Sequence, residues 1–145
     1  MAEPFRLQTI LDLSQNRMDE AARAFAALLA SEQDQARKLT LLEDYRTEYQ
    51  SQFMAAARNG LTPGQWSNYR AFLARIDDAI RQQEHQVAQS RDRAQAGQRE
   101  WLDTRTRVKA FETLSDRHQA SMVRREARTE QRAADDRTGR RINED

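Results

Sequence analysis

Alternating steps of four and three from Leu7 pick out Leu7, Leu11, Ser14, Met18, Ala21, Phe25, Leu28, Glu32, Gln35, Leu39, Leu42, Arg46, Tyr49, Phe53 and Ala56. Only Ser14, Glu32, Gln35 and Arg46 are polar. A second series runs from Trp66 through Tyr69, Leu73, Ile76, Ile80, Gln83, Val87, Ser90, Ala94, Gly97, Trp101, Thr104 and Val108 to Phe111. The mean spacing of about 3.5 residues is the seam of a left-handed coiled coil. The pattern predicts two long helices, each apolar along a single stripe.

Between the two series lies Arg58-Asn59-Gly60-Leu61-Thr62-Pro63-Gly64-Gln65-Trp66, which holds two of the four glycines in the chain. Gly60 suits the left-handed residue just past a helix C-terminus, where a missing Cβ removes the steric cost. Thr62 and Gln65 have the spacing of a capping box, and Leu61 and Trp66 that of a hydrophobic staple. Pro63 falls at the first helical position, where its missing N–H costs nothing. One helix stops and the next starts within about three residues, a connection that makes antiparallel neighbours. The expected fold is all-α: a long antiparallel two-helix coiled-coil hairpin with a protruding C-terminal helical extension.

Folding the chain about residue 61 opposes residues whose numbers sum to about 122. Phe53 then meets Tyr69, Leu11 meets Phe111, and Gly97 meets Phe25. Both tryptophans face alanines, Trp66 against Ala56 and Trp101 against Ala21, so large residues nest against small ones. A glycine inside a helix costs about 1 kcal/mol relative to alanine, and close packing on Phe25 would explain Gly97. The seam weakens at Glu32, Gln35, Gln83 and Ser90. A locally solvated layer is the favoured account, with a register-fixing device or flexible joint as the alternative. Helix 1 is expected over about 4–59, the tip at 60–62 and helix 2 over about 63–138. Phe5 would lie opposite residue 117, leaving helix 2 unpaired from about 118 and a frayed tail at 139–145. Each arm of about 54 residues would extend roughly 80 Å.

Composition agrees with long helices. Of 145 residues, 38% are hydrophobic and 32% charged, with a mean hydropathy of −1.00. Ala, Gln, Glu, Arg and Leu, all good helix formers, dominate. The 24 basic residues are all arginine except Lys38 and Lys109, but 23 interspersed acids reduce the net charge to +1. That balance argues against a nucleic-acid partner. The chain has no cysteine, which fits a reducing compartment. No apolar run approaches the roughly 20 residues of a membrane span. The first residues lack the basic and apolar regions of a signal peptide. The expectation is a cytoplasmic protein with no direct membrane insertion.

No catalytic constellation emerges. A two-helix rod has no interior in which to build a dry pocket. His85 and His118 are far apart and lack acids at metal-ligand spacing, and the tip glycines precede no Gly-Lys-Ser/Thr. Asp77-Asp78 and Asp135-Asp136 read as solvated faces. The expectation is a non-enzyme with no cofactor and no metal.

Several ordered groups carry a resemblance: Phe5-x-Leu7-Gln8-x-Ile10-Leu11-Asp12-Leu13, Asp19-x-Ala21-Ala22, Leu42-x-Asp44-Tyr45-Arg46-x-Glu48-Tyr49 and Trp66-x-Asn68-Tyr69-x-x-Phe72. To these are added Ala79-Ile80-x-Gln82, Trp101, Leu114-x-x-Arg117 and Arg128-x-Glu130-Gln131-x-x-x-Asp135-Asp136. Together they resemble the flagellar FliJ family through nearly the whole chain. The resemblance implies a non-enzymatic component of the flagellar type III export apparatus, similar to the central stalk of rotary ATPases. It also implies three partners: a hexameric flagellar export ATPase, the cytoplasmic domain of an export-gate membrane protein, and escort chaperones of export substrates. It places the protein in the cytoplasm, peripherally at the flagellar basal body on the inner membrane. Carried over residue by residue, the gate contact falls on Phe72, Ile76, Ala79 and Gln83, the last departing from a more usual histidine. The ATPase-binding tail would comprise Arg128, Glu130, Gln131, Asp135 and Asp136. Left open by the residues themselves are the equivalent stalk of a virulence secretion system and a coiled-coil scaffold or linker; an arginine-rich nucleic-acid binder ranks last.

Overall fold

The computed structural model describes residues 7–144. Two helices account for nearly all of them: α1, Gln8–Arg58, and α2, Pro63–Glu144. They pack against one another as a helical hairpin, and no strand occurs among the described residues. The all-α hairpin expected from the 3.5-residue period is therefore the observed fold. The expected start of helix 1 near residue 4 and the pairing of Phe5 lie outside the described residues. α2 continues beyond the expected end near 138, as far as Glu144.

The connection is built from backbone and capping bonds. The last turn of α1 tightens, with Asn59 N–H donating to the Ala56 carbonyl at 3.1 Å and Gly60 N–H to that of Ala57 at 3.2 Å. Such i to i−3 bonds satisfy carbonyls that a helix end leaves without partners. Gly60 has φ +87°, the left-handed region where a Cβ is strained. At the start of α2, Gln65 N–H donates to Thr62 Oγ1 at 3.2 Å and Thr62 N–H donates to Gln65 Oε1 at 3.1 Å. This is the reciprocal capping box. Pro63 is the first residue of α2. Leu61 is half-buried.

Burial follows the predicted seam. Every position of the first series is shielded from solvent at least in part, and so is every position of the second except Trp66, which is 47% exposed. Few side chains are fully buried, because a pair of helices covers one stripe of each and leaves the rest wet. A half-buried leucine or phenylalanine contributes roughly half of the 1.5–3 kcal/mol that full burial gives. Stability accumulates from many modest contacts.

The chain forms two compact units. The tip unit comprises residues 21–101. Its buried centre includes Ile76, Ser90 and Ala94, at 5%, 5% and 3% exposure. Near the connection its seam is aromatic: Phe53 lies 5.0 Å from Tyr69 and 5.1 Å from Trp66, and Tyr49 lies 4.4 Å from Phe72 and 5.3 Å from Tyr69. Burial first, then the neighbouring phenols of Tyr69 and Tyr45, pushes the Tyr49 phenol above its ordinary pKa.

Several contacts test the register. Phe53–Tyr69 falls on the expected sum of 122, and Tyr49–Phe72 and Arg46–Asp77 fall one to either side. A Cβ built on Gly97 would sit 2.6 Å from Leu28 Cδ1 and 3.6 Å from Phe25 Cα. The Leu28 methyl occupies the space a Cβ would take, while the α1 backbone stands at ordinary contact distance. The tryptophans also meet aromatic rings on the facing helix, beyond the alanines expected opposite them. Trp66 packs on Phe53, and Trp101 stacks on Phe25 with ring centres 6.1 Å apart. A knob enters a hole between two turns of the facing helix rather than meeting one opposite residue, so large rings stagger past one another.

The polar layer in this unit is bonded across the helices. Gln83 Nε2 donates to the Gln35 carbonyl at 2.9 Å and to Gln35 Oε1 at 2.7 Å. Arg91 lies 3.7 Å from Glu32 on α1, whereas Ser90 Oγ donates within α2 to the Val87 carbonyl at 2.8 Å. The Gln35–Gln83 bonds exist in one register only, as the register-fixing alternative requires.

The terminal unit, in its described part, comprises residues 7–20 with 102–144. Its core is Leu11, Thr104 and Val108, at 6%, 7% and 3% exposure. Half-buried positions continue along α2 through Phe111, Ser115 and His118 to Ser121 and Met122. From Val123 to Thr138 every residue is exposed. The helix there is wet on all sides, as expected of an extension.

Candidate functional site

The four residues singled out on early α2 share a face, being three and four apart. The structure brings them together but mostly turns them inward. Ile76 is 5% exposed, and Gln83 is engaged with Gln35. Phe72 is half-buried against Tyr49 and meets Tyr45 edge-on at 6.2 Å. Ala79 is half-buried as well. Phe72 and Ala79 therefore retain accessible surface, while Ile76 and Gln83 back them from the seam. The α1 side of this face was not legible from the seam series. Tyr45 is 48% exposed and Leu41 67% exposed, the latter beside Ala36, Arg37 and Thr40 over a shallow surface depression. Both flank the stripe rather than lie on it. A search of positions one step off the seam for large apolar residues would have found them.

The tail residues Arg128, Glu130, Gln131, Asp135 and Asp136 are all exposed. Gln131 Nε2 donates to Asp135 Oδ1 at 3.0 Å, one turn on. At about 100° per residue, Arg128, Gln131, Asp135 and Asp136 fall within one broad face. Glu130 falls on the opposite side, beside a shallow surface formed with Met122, Arg125, Glu126 and Thr129. The tail thus presents charge around its whole circumference rather than along one stripe.

The tip residues Gly60, Leu61, Thr62, Pro63 and Gln65 serve the turn itself. Trp66 keeps an exposed edge. Among the described residues no group of three or more His, Cys, Asp or Glu is placed to hold a metal ion. No described helix is long and apolar enough to cross a membrane.

A capped turn between two helices and an α2 end exposed on every side agree with the family resemblance, and comparison with known proteins decides the matter. The family model described as "Flagellar FliJ protein" matches residues 3–144. The chain belongs to the flagellar FliJ family. A Flagellar FliJ protein of Salmonella typhi is 30% identical over 136 residues, covering 94% of this chain and 92% of that protein. A Flagellar FliJ protein of Escherichia coli strain K12 is 28% identical over the same length, with the same coverage. FliJ membership makes the chain a component of the flagellar protein-export apparatus. Of the flagellar and virulence alternatives, the FliJ match favours the flagellar one.

Proposed function

We propose that this FliJ protein acts as a central-stalk-like activator of a hexameric export ATPase, with its C-terminal extension as the inserted part. The observation that carries the proposal is the run from Val123 to Thr138, helical yet exposed on every side. A helix of this length without a partner is stabilised only by propensity and local pairs. Its charges all round, Arg128 and Asp136 included, suit a polar socket between subunits. The test is the hydrolysis rate of the cognate export ATPase with the intact chain and with a chain ending at residue 120. The intact chain should raise the rate and the shortened one should not. Failure of the intact chain to stimulate would overturn the proposal.

The reading extends to a second contact, with the cytoplasmic domain of the export gate. Phe72 and Ala79 supply its surface, and Ile76 and Gln83 hold that surface in place. Phe72 is also part of the aromatic seam, so Ala79→Glu is the cleaner probe. It should weaken gate binding at least tenfold while leaving the melting temperature nearly unchanged; unaltered binding would remove this face from the proposal. Escort chaperones of export substrates complete the proposed partners. A cytoplasmic position at the basal body follows from the same reading.

A further inference from the structure

We propose that Ser14, Arg17, Thr104 and Arg107 form an oxyanion-binding notch between α1 and α2 in the terminal unit, independent of the stalk reading. These four residues line a small cleft of about 20 Å³. That is enough for one water-sized group, such as a single oxygen of a carboxylate or phosphate. The notch has a local two-fold character. On each helix a hydroxyl residue on the seam, Ser14 or Thr104, is followed three positions later by an arginine. Because the helices run antiparallel, the two arginines arrive on the same flank of the pair. Ser14 is half-buried and Thr104 is 7% exposed at the floor, while both arginines are exposed at the rim.

The charge arrangement is what distinguishes this place from the flanks of the tip unit. There, opposite charges meet across the helices: Arg46 with Asp77 at 2.6 Å and Arg91 with Glu32 at 3.7 Å. Arg17 and Arg107 instead bring like charges to one cleft. Glu20 and Asp103 lie within about one turn of them on their own helices. Yet among the described residues neither arginine has a carboxylate within ion-pair distance. Like charges placed opposite each other in a helix pair are unfavourable. An oxyanion bound between them would turn that repulsion into two attractive charge-assisted contacts, for which the planar guanidinium is well suited.

The experiment uses the full chain in low-salt buffer. Its thermal unfolding is followed with added inorganic phosphate or an oligo-glutamate peptide, each compared with chloride at equal ionic strength. Arg17→Gln/Arg107→Gln is the test variant. Arg75→Gln/Arg99→Gln removes the same charge elsewhere. The expected result is a saturable rise of roughly 3 °C or more in the parent and the control variant, and none in the test variant. A rise with phosphate identifies a free ion as a sufficient ligand; a rise confined to the peptide identifies a protein carboxylate. An equal rise in all three proteins would show general ionic stabilisation and overturn the proposal. So would the absence of any rise with either probe.

Discussion

The seam of the tip unit changes character along its length. Near the connection it is a run of rings: Trp66, Phe53, Tyr69, Tyr49, Phe72 and Tyr45, with successive centres 4.4–6.2 Å apart. Farther along it narrows to Gln35, Gln83, Ser90, Ala94 and Gly97, where amide bonds and small residues replace bulk. The aromatic end buries area but tolerates sliding, since rings pack adequately in several staggered arrangements. The narrow part relies on polar contacts that exist in one register only. Strength and alignment are thus assigned to different parts of one stripe.

The largest expected effect comes from breaking the strong part. Tyr49 touches Tyr45, Tyr69 and Phe72, and Tyr49→Ala should lower stability by about 2 kcal/mol in urea unfolding. Gln83→Ala, which removes only the amide bonds to Gln35, should cost about 1 kcal/mol. If the two substitutions cost the same, the division of labour along the seam is wrong.

Much of this was legible before any coordinates. The 3.5-residue period located the seam because a coiled coil writes its geometry directly into spacing. The tip was readable because Gly60, Thr62, Pro63 and Gln65 each answer a specific backbone need. Gly97 was readable for a similar reason: a glycine in a helix has a propensity cost that only packing offsets. Less legible was which neighbour each large ring would choose. Trp66 and Trp101 meet Phe53 and Phe25, contacts that a sum rule did not give, since it fixes height along the seam but not the stagger of side chains. The role of Gln35 and Gln83 was ambiguous for another reason. A glutamine on a seam is equally consistent with water and with a partner until the distance is known. Of the proposed gate residues, spacing gave the shared face and already put Ile76 and Gln83 on the seam, where they point into the pair. The flanking Tyr45 and Leu41 lie one position off the stripe, so the seam period carries no signal for them.

A smaller effect tests the narrow part. Gly97→Ala adds helix propensity of about 1 kcal/mol, but the new methyl would meet Leu28 Cδ1 at 2.6 Å. The two effects should nearly cancel in the parent. In a Leu28→Ala background the clash is gone, and the same substitution should stabilise by about 1 kcal/mol. An identical effect in both backgrounds would mean that Leu28 does not set the need for glycine.

The smallest effect is that of the ion pair made by Arg46, a charged residue on the apolar stripe. Its guanidinium donates to Asp77 at 2.6 Å, and both side chains remain more than a third exposed. Screening by water therefore limits the pair to about 0.5 kcal/mol. The position itself lies between Leu42 and Tyr49 on the seam, so the aliphatic stem covers apolar surface whatever the charge does. The two contributions separate by substitution. Arg46→Met keeps the stem and should cost little more than the pair, whereas Arg46→Ala should cost about 1 kcal/mol beyond that. A double-mutant cycle with Asp77→Asn should give a coupling that falls toward zero in 1 M salt, where the screening length is about 3 Å. Coupling that persists undiminished at that salt would mean that the pair is drier than its exposure indicates, and that the strong end of the seam begins farther from the tip than the rings alone suggest.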